Sequence, residues 1–522
     1  MNLNFPAMKL LFFPIALCFG MASCKQAPVT AGVDTNSSAV SDSAPVKPIE
    51  KPVSLTESVI RINSTSQSWN PGQPWEKNPP KDLRSLGSIV APGQVLTTSE
   101  MVADATYVEL ESPDGSKTAQ AEIIAVDYEA NLALLTVKSD EDRETFFAGT
   151  HPLTLAEPPA IGDALQIFQV EDNGTTLLTS GTLQSVDVVS SFLPSQSFLT
   201  YLVKASMQGA ASSFSLPVVK GGSLSGILLS YASDDQISDV LSVDVISHFL
   251  ANAKDGKYAG FPSLGISISR TEDPSFRKFL KLKPEQGGLY ISTVRTGGAA
   301  DLAGIKKGDV LLSAAGFPID RRGYYQHPHY GSVFWGHIIR GESATGDEIK
   351  LGILRDGEPM EITATLTREE PENHLVPDYR FDRAPNFLVK GGLIFQELSR
   401  PVLEAFGKDW SSRAPLNLLD AFENPEKYED KAKRVIFLSG SIPTPATVGY
   451  EGLRNLIVKR VNGVQIDSMK TLIDAFQKPN ADGLHSIEFL EEKFTVYLDE
   501  NISTMVDSAL LQRGLNRLSR AE

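Results

Sequence analysis

Cysteine is almost absent from this sequence. The only two, Cys18 and Cys24, lie near the start of a chain of 522 residues. The chain after Cys24 therefore has no disulfide within itself, no cysteine-based metal site and no cysteine nucleophile. We expect any domain built from it to be held together by the packing of its apolar core.

Histidine is scarce and unevenly placed. The sequence contains seven histidines, and the first of them is His151. A serine protease triad in the order His, Asp, Ser needs an imidazole in the early part of the domain to accept the serine proton. The first 150 residues cannot supply that group.

Positive charge is in the minority. The chain has 48 Lys and Arg residues against 64 Asp and Glu residues, a net charge of −16. Nucleic-acid binding needs a basic face, so we expect no nucleic-acid partner. The hydrophobic fraction of 41% is ordinary for a globular protein, and the length predicts about three domains.

The N-terminus has the pattern of an export signal. Lys9 precedes an apolar stretch that is too short for a typical transmembrane helix. Small residues then lead to Cys24, which resembles a bacterial lipoprotein signal; an ordinary secretory signal is the alternative. The resemblance implies that residues 1–23 are removed and that Cys24 is lipidated. Residues 24–57, rich in Ala, Ser, Pro and Val, are predicted to be a flexible tether.

The remaining chain divides into strand-rich segments. Residues 58–252 contain many short apolar strands separated by turns, which predicts an antiparallel sandwich or barrel. Residues 259–370 and 385–500 repeat one pattern, a glycine turn inside an apolar strand. Apolar residues at helical spacing predict a helix over residues 501–522. We expect this helix to pack on its own domain; an oligomer contact is the alternative.

The segment STVRTGGAADLAGIKKGDVLLSAAGFPI resembles the PDZ domains of the Deg/HtrA family. The resemblance continues upstream, where that family carries a trypsin-like protease domain. It also continues downstream, into a second PDZ-like domain of the plant-type Deg branch. The implied fold is mainly β and multidomain, a trypsin-like double β-barrel followed by two PDZ domains. The family further implies a periplasmic location, a role in protein quality control and possible trimer-based homo-oligomers.

The catalytic positions of that family are altered here. Glu100 stands where the resemblance places the His base, and Asn131 stands at the Asp position. Counting forward through the nucleophile loop gives Ala211, and counting back from its end gives Phe214. A carboxylate is a weak base unless it is strongly desolvated. A displaced serine remains the fallback nucleophile, with three candidates: Ser212, Ser213 and Ser215.

The glycine turns of the two repeats are the predicted peptide-binding sites. A PDZ groove adds an extended peptide to a sheet edge, while exposed backbone N–H groups hold the peptide carboxylate. Glycine allows that close approach; plain strand glycines are the alternative. The predicted binding residues are Leu264, Gly265 and Ile266 in the first repeat and Gly391, Gly392 and Leu393 in the second.

His327 and His329 have a spacing that can chelate a metal ion. No third ligand lies nearby in sequence, so a loop within the first PDZ unit is the favoured interpretation. We expect neither a metal nor another cofactor.

These patterns predict a lipid-anchored pseudoprotease of the bacterial cell envelope. Its PDZ domains would bind extended peptides or protein C-termini without hydrolysis. An active Deg-type serine endopeptidase with a displaced serine and a non-cleaving holdase are the alternatives.

Overall fold

The first two domains of the fold are barrels. The computed structural model describes residues 55–521 apart from residues 172, 195, 208–213, 254–257, 371–372, 431 and 492–493. Strands β1–β6 close in the order β1-β2-β3-β6-β5-β4, and strands β7–β12 close in the order β10-β11-β12-β9-β8-β7. Their bounds are β1 Val59–Ser66, β2 Lys81–Ala91, β3 Gln94–Thr97, β4 Ala105–Glu111, β5 Thr118–Asp127, β6 Leu132–Val137, β7 Ala164–Val170, β8 Thr176–Ser190, β9 Ser197–Ala205, β10 Leu216–Lys220, β11 Ser223–Ala232 and β12 Ile237–Ser242, with helices α1 Asp140–Phe146 and α2 Val243–Ala253.

Strands rich in β-branched and aliphatic residues form both barrels. Closure pairs every strand on both sides and so removes the exposed edges of an open sheet. In β6 all residues are buried, and β1 alternates buried apolar residues such as Ile60 and Ile62 with more exposed ones. The predicted trypsin-like double barrel is therefore confirmed.

The first PDZ domain follows the second barrel. Its main sheet has the order β13-β14-β15-β19-β20, with β16 paired to β15, so β13 lies at an edge. A separate hairpin, β17–β18, is inserted between β16 and β19. The elements are β13 Ile266–Ser269, α3 Pro274–Phe279, β14 Leu289–Val294, α4 Ala299–Leu302, β15 Val310–Ala314, β16 Phe317–Pro318, β17 Tyr324–His327, β18 Gly331–Phe334, α5 Gly336–Arg340, β19 Glu348–Arg355 and β20 Glu358–Thr365.

The β17–β18 hairpin fastens this domain to the second barrel. The hydroxyl of Tyr330 donates to Asp244 Oδ2 at 2.7 Å and lies 3.1 Å from the hydroxyl of Tyr201. Tyr201 is fully buried and Tyr330 nearly so. Buried hydroxyls need such partners, because an unmade hydrogen bond in the interior is costly. The hairpin predicted as a loop is thus a docking element.

The second PDZ domain has an eight-stranded sheet in which β22 is an interior strand. The order is β27-β26-β24-β23-β22-β21-β28, with β25 paired to β24. The elements are β21 Phe387–Lys390, β22 Leu393–Glu397, α6 Arg400–Glu404, α7 Trp410–Arg413, α8 Leu416–Glu423, β23 Ile436–Ser441, β24 Leu456–Val461, β25 Val464–Gln465, α9 Met469–Ala475, β26 Leu484–Phe489, β27 Thr495–Asp499, α10 Glu500–Gln512 and β28 Ser519–Arg520.

The C-terminal helix α10 packs on its own domain, as the sequence predicts, but it ends at Gln512 and β28 follows it, so the prediction of a helix over residues 501–522 is too long. It begins at the Asp499 cap, whose side chain accepts the Ile502 N–H. Leu510 at its end, and Leu515 beyond it, pack against the buried cluster that contains Phe387. Within the described ranges, no helix combines the length and the apolar character that crossing a bilayer requires.

Candidate functional site

Glu100 and Asn131 meet in the first barrel, at the positions that the sequence assigned to the base and its orienting group. Glu100 lies in a single 3-10 turn, Ser99–Met101, directly after β3. Asn131 Nδ2 donates to Glu100 Oε1 at 2.7 Å. Asn131 Oδ1 accepts from the Glu100 N–H at 3.2 Å and from Ser99 Oγ at 3.0 Å. The amide therefore binds both the side chain and the backbone of Glu100.

The loop between β5 and β6 holds Asn131 in place. Asn131 is fully buried and has φ +55°, a left-handed conformation that Asn tolerates better than most residues. Asp127 precedes it, and its Oδ1 accepts the Ala130 N–H at 2.8 Å. Tyr258 donates to Asp127 Oδ2 at 2.7 Å. Sequence reasoning missed Asp127, because the Tyr258 contact spans 131 residues and leaves no local signal.

Partial burial changes the acidity of Glu100. Desolvation raises the pKa of Glu100, and the hydrogen bond from Asn131 offsets part of that rise. All seven histidines lie in the described part of the chain, and none of them is a hydrogen-bond partner of this pair. The described site thus contains a hydrogen-bonded carboxyl–amide pair where proton transfer would require an imidazole.

Ser215 has a structural role. It is fully buried with φ +52°. Its Oγ lies 2.8 Å from Thr97 Oγ1 and accepts the Thr98 N–H at 3.1 Å. These bonds tie the start of β10 to the end of β3, which argues against Ser215 as the displaced nucleophile. Phe214 packs against the first barrel's core. Three predicted positions lie outside the described residues: Ala211, Ser212 and Ser213.

The first glycine turn lies beside the edge strand of its domain. Leu264 is buried, and Gly265 has φ +71° directly before the edge strand β13. The Gly265 N–H donates to Ser263 Oγ at 3.0 Å, and its carbonyl accepts the Arg295 N–H at 2.8 Å. Among the described strands, β13 pairs only with β14, so its other edge can accept an extended chain.

The second PDZ turn is closed, which corrects the prediction for Gly391, Gly392 and Leu393. Gly391 and Gly392 form a tight hairpin that pairs Lys390 with Leu393, so β21 fills the edge of β22. The Gly391 N–H donates to Asp507 Oδ1 of α10 at 2.7 Å. An incoming peptide would find both the strand edge and this N–H already occupied.

His327, His337 and Glu342 lie close enough to suggest a cation site. His327 Nδ1, however, accepts the backbone N–H groups of His329 and Tyr330, both at 3.1 Å. A neutral imidazole then carries its proton on Nε2, which lies 3.0 Å from Glu342 Oε1. These contacts indicate that His327 and Glu342 form a hydrogen-bonded pair that stabilises the hairpin, and they argue against a metal site.

Comparisons with known proteins agree with this architecture. The sequence profile of the PDZ domain family matches residues 376–514. Protease Do-like 2, chloroplastic, of Arabidopsis thaliana is 25% identical over 451 residues, which cover 85% of this chain and 70% of the relative. Putative protease Do-like 3, mitochondrial, of the same plant is 23% identical and covers 87% of this chain and 78% of the relative.

The chain is similar to proteases of the Deg/HtrA type over most of its length. Its plant relatives agree with the predicted plant-type branch. A probable periplasmic serine endoprotease, DegP-like, of Pseudomonas putida (strain GB-1) is 24% identical and covers 61% of this chain and 67% of the relative. Among solved structures, the HtrA-type protease AlgW with decapeptide has a TM-score of 0.44 and 18% identity, covering 60% of this chain and 97% of that one.

Glu100 and Asn131 form the central contact of this candidate site. The first barrel places the two side chains together beside the end of β3, and neither side chain contains an imidazole. A carboxyl group and an amide group therefore lie at the positions where the sequence resemblance implies a base and its orienting group.

Proposed function

We propose that this chain is a pseudoprotease of the Deg/HtrA family. The hydrogen-bonded Glu100–Asn131 pair carries the proposal, because the resemblance assigns the base position to Glu100 and the side chain there is a half-buried carboxyl group instead of an imidazole. Loss of a triad member costs several orders of magnitude in rate. The burial of Ser215 supports the same conclusion, since it removes one of the three fallback nucleophiles.

The proposed activity of the molecule is peptide binding through the first PDZ domain. The open edge of β13 and the adjacent Gly265 turn support it, because a peptide can add there as an extra strand. The barrels then serve as a scaffold, to which Tyr330 anchors the domain through Asp244. The ligands are extended peptides or protein C-termini.

The proposed location is the bacterial cell envelope, where a lipid on Cys24 anchors the protein to a membrane so that it faces the periplasm. Cys24 lies outside the described residues. The proposed location is therefore supported by the sequence around Cys24 and by the relative that is named as periplasmic. Cys24→Ser should abolish labelling by radioactive palmitate and shift the protein from the membrane fraction to the soluble fraction. Wild-type protein that is soluble after export would contradict the anchor.

The absence of proteolysis is tested with the full chain, casein and a fluorophosphonate probe. We expect no cleavage and no adduct, with an active Deg protease as the positive control. Glu100→His alone should not restore activity, because Asn131 cannot stabilise an imidazolium as a carboxylate does. Ser215→Ala is the matched control and should leave the probe result unchanged.

A different result would support the active-protease alternative. An adduct mapped to Ser212 or Ser213, and lost when that serine becomes alanine, would overturn the pseudoprotease proposal. Suppression of substrate aggregation without cleavage would instead favour the holdase alternative.

A further inference from the structure

A cavity of about 960 Å³ lies beside the open edge of β13, between the two PDZ domains. Gly265 and Arg295 contribute to its wall from the first domain, and Lys433 contributes from the second. Glu369 and His374, from the segment that joins the domains, also line it. A peptide added to β13 would therefore end among charged side chains.

Glu369 is connected to the glycine turn by a relay. The Gly265 N–H donates to Ser263 Oγ at 3.0 Å, and Ser263 Oγ donates to Glu369 Oε2 at 3.5 Å. The second contact lies at the outer limit of a hydrogen bond. The carboxylate of Glu369 is therefore linked to the Gly265 turn through Ser263, and both residues line the same cavity.

The other oxygen of Glu369 faces a guanidinium group and an imidazole. The Arg295 guanidinium pairs with Glu369 Oε1, and His374 Nε2 lies 3.4 Å from the same atom. Burial alone would raise the pKa of Glu369, but the His374 hydrogen bond and the Arg295 charge outweigh it and hold the pKa below its usual value. Glu369 is thus an ionised carboxylate held by an arginine next to a PDZ glycine turn.

The second PDZ domain shows the same arrangement in a closed form. Asp507 Oδ1 accepts the Gly391 N–H at 2.7 Å, and Asp507 Oδ2 lies 3.5 Å from Lys390 Nζ. Both repeats therefore place a carboxylate of the chain and a basic side chain at the glycine turn. In the first domain β13 lies at the edge of the sheet, and Glu369 lines the cavity beside that edge.

We propose that Glu369 occupies the terminal-carboxylate site of the first PDZ domain, and that the ligand is an extended chain whose free C-terminal carboxylate displaces Glu369 and pairs with Arg295. This inference rests on the proposed peptide-binding function. It makes Arg295 the residue that distinguishes a free carboxylate from an amide, and Glu369 a competitor that lowers affinity in the resting protein.

The test measures peptide binding by the full chain in fluorescence anisotropy. The probes are fluorescein-labelled decapeptides ending in Val, Leu or Phe, each with a free carboxylate and as the matched amide. Glu369→Gln should tighten binding of the carboxylate peptides at least about fivefold and leave the amides unchanged, because glutamine keeps the shape but removes the competing charge. Arg295→Met should weaken the carboxylate peptides at least about fivefold and erase the difference between carboxylate and amide.

Glu370→Gln is the matched control. Glu370 is the next residue along the chain, half-exposed, and pairs with Arg368 instead of Arg295. Its substitution should change neither peptide series. Thermal unfolding of each variant separates an effect on binding from a loss of fold.

The outcomes distinguish this inference from the proposed function. Carboxylate-dependent binding that is unchanged by Glu369→Gln would overturn the competitor role and leave peptide binding intact. An equal gain for amides and carboxylates would also overturn it. If no peptide bound the wild type or folded Glu369→Gln protein, both proposals would fail.

Discussion

The two PDZ domains differ in what precedes their glycine turns. In the first, Ser263 bridges to Thr367, with the Ser263 N–H donating to the Thr367 carbonyl at 2.8 Å, so the chain leads away from β13. In the second, the preceding segment folds back as β21 and pairs with β22 along its whole length. One edge is therefore open and the other is filled by the chain itself.

This difference teaches that a glycine turn does not by itself make a ligand site. A strand edge binds a peptide only while its backbone groups are unpaired. The two turns have comparable left-handed glycines, Gly265 at φ +71° and Gly391 at φ +61°. The elements around them decide the outcome, since α10 and β28 cover the second turn and its outer strand.

Gly392→Val should have the largest effect, because it breaks the closed hairpin. A Cβ at Gly392 would lie 2.7 Å from the Ile442 carbonyl oxygen, and φ is +103°. Steric overlap and backbone strain together should lower the free energy of unfolding by about 4 kcal/mol. The change is measured by urea denaturation.

Gly440→Val is the control for this prediction. Gly440 lies on β23 of the same domain, and a Cβ there would meet no atom within 4 Å. We expect a shift below about 1 kcal/mol for this exposed-side substitution. Equal losses for the two variants would contradict the steric argument.

Acid should destabilise the two PDZ domains in different pH ranges. This difference tests whether the two domains respond independently. Burial lowers the pKa of His337, on α5, from 6.5 to about 4. Between pH 6.5 and pH 4 the unfolded chain therefore binds more protons than the folded chain. The stability that neutral His337 contributes is present above pH 6.5 and is lost as the pH falls toward 4. The loss is at most about 3 kcal/mol.

The second domain should lose stability only at lower pH. Burial raises the pKa of Glu500, on α10, but its hydrogen bonds with Lys390 and His485 prevail and lower the pKa from 4.5 to about 2. Its contribution is present above pH 4.5 and is lost toward pH 2. Hydrogen exchange should show α5 losing protection before α10 as the pH falls. Simultaneous loss of protection would contradict these assignments.

Gly265→Val should have the smallest effect on stability and a clear effect on binding. A Cβ there would meet Gly298 Cα at 3.5 Å and Arg295 Cβ at 3.6 Å, which are ordinary contacts. The left-handed backbone should cost about 1–2 kcal/mol, whereas the new side chain should block the approach of a peptide carboxylate. Anisotropy with the decapeptides measures this loss.

Gly304→Val is the control for Gly265→Val, because it should cause similar backbone strain at a position away from the cavity. Gly304 has φ +82° and open space around its Cβ position. It should lose comparable stability and keep peptide affinity. Unchanged peptide binding by folded Gly265→Val protein would place the binding site elsewhere.

Much of the fold and part of the site followed from local sequence patterns. Strand periodicity with regular turns predicted the β architecture, and the sequence pointed to Glu100 and Asn131, which the structure brings into contact. The positions of Gly265 and Gly391 predicted two turns, and both glycines have positive φ. These features are readable because strands, turns and residue identities are properties of short segments.

What the sequence by itself determined is the chemical inventory: the missing early histidine, the scarcity of cysteine and the repeated glycine turns. Only the tertiary structure decided which of those turns is open. The carboxylate at the second turn comes from Asp507, 116 residues beyond Gly391, and the relay at the first joins Ser263 to Glu369 across 106 residues. Such partners are chosen by the packing of distant elements, so a local pattern carries no record of them.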